Sequence, residues 1–224
     1  MTQFVHLRLH TEYSLIDSIV RVEDASHKSP LMQAIADAGM PAVALTDQGN
    51  LFALVKFYKA ALDAGIKPVT GVDLLVAEPG ERRAPSRLTL LCQSQQGYRN
   101  VTQLVSRAYL EGRRNEAGTP MVERAWLTPD SMAGLIGLSC ATEGDIGRAV
   151  LNGRDSDARA ALQWWQERLG DRFYLEVQRV GREGEETWIA AAVALSQRQG
   201  VPLVATNDVR FLAQADFEVH EARV

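Results

Sequence analysis

Three stretches decide the reading of this chain: GMPAVALTD at 39–47, GIKPVTGVD at 65–73 and GVPLVATND at 200–208. Each runs from a glycine through apolar residues and a proline into a short apolar segment, and each ends on an aspartate. The glycine supplies the left-handed residue that closes a helix. The apolar run has the length of a buried strand. The acid then falls at the strand's carboxyl end, where α/β barrels collect their functional groups. The shared unit is mechanical rather than a duplicated sequence: helix end, tight turn, strand, acidic residue.

Working outward from these stretches, strands are expected at 5–9, 42–45, 69–76, 88–92, 135–139, 173–177 and 203–205. Helical spacing lies between most of them, at 31–38, 52–64, 98–111, 158–169 and 185–199, and most of these segments run into a glycine. Strands alternating with helices imply an α/β class with parallel pairing, and an irregular barrel fits the pattern best. The segments 79–85 and 113–120 read as surface loops, and 216–224 has a helical look.

A chain of 224 residues, 46% hydrophobic and 23% charged, is long enough for a sizeable core and is read as one domain over 1–224. A net charge of -4 argues against a surface that holds nucleic acid by overall charge. The first residues show no charged-then-apolar leader, and no apolar stretch approaches the length of a membrane span, so a cytoplasmic protein without membrane contact is expected. Cys92 and Cys140 sit in apolar segments without a CxxC partner and read as buried thiols.

The expected rim gathers His6, His10, Asp17, Asp47, Asp73 and Asp208 from separate segments. Carboxylates and imidazoles that converge in this way suit a metal-assisted site. Any single aspartate here has an ordinary use as the cap of the following helix, so it is the set together with His10 that points to a site.

At this point the residues resemble a known family. FVHLRLHTEYSLID at 4–17, ALTDQGNLFALVKFYKAALDAGIKPVTGVD at 44–73 and VATNDVRF at 204–211 look like the PHP domain that opens bacterial DNA polymerase III alpha subunits. LTLL at 88–91, GYRNVTQLVSRAYLEG at 97–112 and DRFYLEVQR at 171–179 carry the resemblance along essentially the whole chain. It implies a distorted (βα)7, TIM-barrel-like PHP fold with a trinuclear metal site at its rim. It also implies that the chain is the N-terminal piece of a much longer polymerase subunit.

Laid onto this sequence, the family's ligand positions fall at Arg8, His10, Asp17, Gln48, Asp73, Arg87, Ala141, Asp208 and Arg210. His10, Asp17 and Asp208 keep the family's residue and Asp73 replaces a glutamate, so these four are read as vestigial ligands. Arg8, Gln48, Arg87, Ala141 and Arg210 are replacements; if the adjacent Cys140 fills the position given to Ala141, one more soft ligand survives. A guanidinium stays protonated and offers no lone pair, so arginine cannot coordinate a cation. Arg8, Arg87 and Arg210 are therefore expected to act as built-in counterions for the remaining aspartates.

The domain is then expected to hold no metal or one weakly bound divalent ion, while the parent polymerase uses Mg²⁺. The resemblance further implies a DNA-directed DNA polymerase as the parent chain. Expected partners are a separate proofreading exonuclease subunit, the remaining polymerase domains, and DNA through the parent chain. A rival reading keeps chemistry: the arginines would bind pyrophosphate while Asp47, Asp208 and His10 hold one ion for hydrolysis.

Ordinary roles are expected elsewhere. His6 shares a strand face with Arg8 and His10 and reads as a structural histidine. His27, His220, Arg82, Arg83, Arg113 and Arg114 read as surface residues. Of the adjacent pair Trp164 and Trp165, one is expected to be half exposed.

Overall fold

The computed structural model describes residues 4–26, 28–78 and 84–222, so His27, Arg82, Arg83 and most of the 79–85 loop lie outside the described residues. In chain order the elements are α1 (Pro30–Asp37), β1 (Ala42–Leu45), α2 (Leu54–Asp63), β2 (Lys67–Ala77), β3 (Ser86–Cys92), α3 (Gln95–Glu111) and β4 (Val122–Glu123). They continue with β5 (Leu135–Leu138), α4 (Asp145–Leu151), α5 (Asp155–Leu169), β6 (Phe173–Val177), α6 (Glu185–Gln199), β7 (Leu203–Ala205) and α7 (Phe217–Glu221). No helix among the described residues is long and apolar enough to cross a membrane.

The chain divides into two compact units, Met1–Val72 with Asn207–Val224, and Asp73–Thr206. In the first, β1 pairs in parallel with the opening residues of β2, Ala42 opposite Lys67 through Leu45 opposite Thr70. The expected strand at 5–9 is reduced to two parallel bridges, His6 to Val43 and Leu9 to Val209. The second of these ties the N-terminal segment to the C-terminal one. Ser29 caps α1 by accepting from the Met32 amide and Pro30 opens the helix, where a missing N–H costs nothing. Leu31, Met32 and Ile35 then face a core that includes Leu9, Val43, Leu45, Phe57 and Ile66. Burying Phe57 completely contributes about 2–3 kcal/mol.

In the second unit the strands run in the order β2, β3, β5, β6, β7, with β4 beside β2. β5 with β6 and β6 with β7 are parallel, but β3 pairs antiparallel with β5, contrary to the all-parallel expectation. The reason lies in the connection: residues 78–85 between β2 and β3 are too few for a parallel crossover, which needs a dozen or more. Trp165 is buried, stacks on Phe173 at 5.5 Å and gives its indole N–H to Asp145. Trp164 is half-buried, and its ring is in contact with the guanidiniums of Arg124 at 4.1 Å and Arg168 at 3.5 Å. The half-exposed tryptophan is thus covered by cations of its own unit.

Gly97, Gly144 and Gly147 fill places where only glycine fits, because an added Cβ would collide with the main-chain oxygens of Gly134, Ser139 and Ala141 respectively. The last two allow the chain to double back after β5, where Cys140 and Ala141 both adopt positive φ, 55° and 46°.

Candidate functional site

Arg8, His10, Asp17, Asp47, Gln48, Asp208 and Arg210 belong to the first unit, and Asp73, Arg87 and Ala141 to the second. Main-chain bonds build the first group. The His10 amide donates to the Val209 carbonyl at 3.0 Å, and the Ile19 amide donates to that of Arg210 at 3.0 Å. The buried Ser18 hydroxyl lies 2.7 Å from the His10 carbonyl and 3.0 Å from that of Arg210, so one side chain holds the two functional segments in register.

On this frame the side chains form a line of alternating charge. The Arg8 guanidinium, wholly buried, lies 3.6 Å from Asp208. Arg210 donates to Asp208 through Nε at 3.0 Å and lies 2.9 Å from it through Nη2. Its Nη1 donates to one oxygen of Asp17, whose other oxygen meets Nδ1 of His10. A carboxylate can only accept, so Nδ1 of His10 carries the hydrogen. Along this line Arg8 and Arg210 face Asp208, and Arg210 also faces Asp17. Burial and the neighbouring Arg8 cation push Arg210 down to about 10, which still leaves it charged at neutral pH.

Asp47 has a different task. Its buried carboxylate accepts from the Thr11 amide at 2.6 Å, the Thr11 hydroxyl at 2.8 Å and the Ser14 hydroxyl at 2.7 Å. It thereby shapes the 3-10 turn Glu12–Asp17 that carries Asp17. Gln48 contributes its main chain to the same turn, its amide donating to the Ser14 hydroxyl and its carbonyl accepting from Asn50. The structure therefore brings His10, Asp17 and Asp208 together with two arginines, and commits Asp47 to the turn. His6 sits beside this group: its main chain accepts from Ala44, its ring meets Phe4 edge-on at 5.1 Å, and burial lowers its pKa.

In the second unit Arg87 donates to the buried Asp73 at 3.0 Å and lies 3.5 Å from Glu143. Glu143 in turn meets Arg182 at 3.5 Å. Again two cations face two carboxylates. Cys140 is buried with its sulfur 3.2 Å from the Thr89 hydroxyl, and Ala141 follows it in the strained turn. Cys92, expected to be buried, is only half-buried, and its partial burial still raises its thiol to about 11.

Glu143, Arg182, Thr11, Ser14 and Ser18 were not anticipated. Thr11 and Ser14 could have been read from HTEYS as acceptors and donors at turn spacing; nothing in the sequence singles out the other three. Arg113 lies on the surface as expected, held by both oxygens of Glu123 at 2.8 and 2.9 Å. His220 does not: it is only 8% exposed, and its ring lies 5.6 Å from Phe211.

A metal cluster does not fit this set of side chains. Among the described residues no three His, Cys, Asp or Glu side chains converge as ligands, and the carboxylates of each group are engaged by guanidiniums that have no lone pair to offer.

The family model described as "PHP domain" matches residues 6–180. The DNA polymerase III subunit alpha of Pseudomonas aeruginosa is 53% identical over 99% of this chain and 18% of its own length. That of Escherichia coli K12 is 42% identical over 99% of this chain and again 18% of its own length. The chain thus spans less than a fifth of these curated relatives. Among solved structures, a putative metal-dependent phosphoesterase from Bifidobacterium adolescentis aligns over 100% of this chain and 97% of its own, with a TM-score of 0.60 at 10% identity. An amidohydrolase from Chromobacterium violaceum aligns over 98% of this chain and 96% of its own, with a TM-score of 0.56 at 16% identity. These two likenesses concern the fold, which is of the distorted TIM-barrel-like PHP type.

Proposed function

The chain belongs to the PHP domain family, and from that premise we propose that it is the N-terminal PHP domain of a bacterial replicative DNA polymerase III alpha subunit in which arginines have replaced the metal site. Its identity of 53% and 42% to two such subunits over nearly its whole length supports this reading. The domain would form one part of a much longer cytoplasmic chain that polymerises DNA with Mg²⁺ bound elsewhere. Its own task would be structural, as a platform on which the remaining polymerase domains and a separate proofreading exonuclease subunit dock.

One observation carries the proposal: in the line Arg8, Asp208, Arg210, Asp17, His10 both aspartates are engaged by arginines. At an effective dielectric near 20, a guanidinium and a carboxylate in contact attract by about 5 kcal/mol before desolvation. Burying the carboxylates of an empty metal site without such partners would be far more costly. The rival reading, a residual phosphoesterase, needs Asp47 as a ligand or base, and that carboxylate is already satisfied by Thr11 and Ser14.

Two measurements test the proposal. After dialysis against excess Mn²⁺ or Zn²⁺, elemental analysis is expected to find less than one ion per chain; two or more that disappear in His10→Ala would overturn the loss of the site. Sedimentation with the exonuclease subunit from the same replicase is expected to give a complex, and its absence at micromolar concentrations would overturn the docking role.

A further inference from the structure

We propose that His220 fastens the C-terminal helix α7 to the Arg210–Asp17 ion pair, so that the state of the former metal site sets the position of α7. The inference rests on the reading that this pair stands without metal.

A helix of five residues has too few internal hydrogen bonds to hold itself together, so α7 depends on what it touches. Most of its surface is exposed, Phe217 to 50% and Val219 to 61%. The exception is His220, whose Nε2 lies 3.3 Å from the main-chain oxygen of Asp17. A carbonyl only accepts, so Nε2 must be the donor. The ring also packs on Phe211, which follows Arg210 in the chain and in turn meets Phe217 at 6.0 Å.

Asp17 is therefore a node with two attachments. Its carboxylate is held by Arg210 and His10, and its carbonyl holds α7. Ser18 and Ile19, the next two residues, are bonded to the Arg210 carbonyl, so the turn cannot shift while that segment stays in place. Releasing the carboxylate removes the side-chain hold on the turn and leaves its main-chain bonds, and the turn carries the acceptor of His220.

Amide hydrogen exchange on the 224-residue chain tests the latch. Asp17→Asn and Arg210→Lys are expected to speed exchange at 217–221 about tenfold, with a much smaller change in α1. His220→Gln, which keeps a side-chain N–H donor, is expected to preserve slow exchange in α7, whereas His220→Ala abolishes it. Should the two ion-pair variants fail to fold, His220→Ala is read instead at 12–18, where faster exchange is expected. Unchanged exchange of α7 in folded Asp17→Asn and Arg210→Lys, or at 12–18 in His220→Ala, overturns the latch. Two bound metal ions in the wild type would instead overturn the reading beneath it, whatever α7 does.

Discussion

Replacing Arg210 by methionine keeps an unbranched apolar stem and removes the charged end. In the folded protein Arg210 is 12% exposed and engages Asp208 through Nε and Nη2 and Asp17 through Nη1. After the substitution Asp208 keeps Arg8 at 3.6 Å, while Asp17 keeps only the His10 contact. Two largely buried carboxylates then each lose a guanidinium partner. Breaking a buried pair from one side costs about 3–5 kcal/mol, because the surviving charge stays desolvated. That is a large part of the roughly 5–15 kcal/mol by which a domain is stable. At this chain length it corresponds to a fall in Tm of about 6–20 °C.

The assay is urea unfolding followed by tryptophan fluorescence, with Arg179→Met as the control. Arg179 also forms a two-pronged pair, with Glu186 at 2.7 and 3.0 Å, but both partners are 71% exposed and screened by solvent, and its loss is expected to leave the unfolding midpoint nearly unchanged. Arg210→Lys is expected to fall between them, since an ammonium cannot reach both carboxylates in the same fork. If Arg210→Met is no more destabilising than Arg179→Met, the idea that arginine stands in for the lost cations is wrong.

Asp47→Ala is expected to destabilise the chain by about 3–5 kcal/mol, because the Thr11 amide and hydroxyl and the Ser14 hydroxyl lose a charged acceptor; a loss below 1 kcal/mol in the same unfolding assay would contradict the turn-building role. Burial lowers the pKa of His6, so the unfolded chain takes up its proton first, and stability present above pH 6.5 is lost as the pH falls through the folded value. Unfolding free energies measured between pH 7.5 and 5.5 should therefore decline less steeply in His6→Gln, and identical slopes would remove His6 from the acid response. With its thiol raised to about 11, Cys92 is expected to react with iodoacetamide at pH 8 about a hundredfold more slowly than a free cysteine; mass spectrometry showing rapid modification of the native protein would contradict the burial argument.

The parts of the fold legible in the sequence were those fixed by local chemistry. α6 occupies 185–199 as its spacing predicts, and Gly200 takes the left-handed conformation at φ 68° that ends it. β1, β6 and β7 likewise fall on their apolar runs. What escaped was decided by contacts with distant segments. Residues 5–9 alternate like a strand yet pair only at His6 and Leu9. β4 has two residues and forms only beside β2, and α4 has seven, too short to announce a period.

The candidate site shows the same division. Aspartates at strand ends marked where chemistry would gather, and the resemblance proposed which arginines would face them. That Asp17 meets Arg210 across most of the chain follows from the bridge of Leu9 to Val209, which no local pattern encodes. Asp47 illustrates the converse: an acid at the expected strand end is committed by Thr11 and Ser14 to the ordinary work of closing a turn. His220 reads as a surface residue from its place in the terminal helix, and the packing of Phe211 and Asp17 against it accounts for its burial.

The most direct test of the account is a crystal of this chain grown in excess Mn²⁺, with an anomalous difference map calculated at the manganese edge. Density free of anomalous peaks around His10, Asp17 and Asp208, with Arg8 and Arg210 lying against the two aspartates, is the predicted result. Two or more strong peaks there, with those guanidiniums turned out toward solvent, would contradict it.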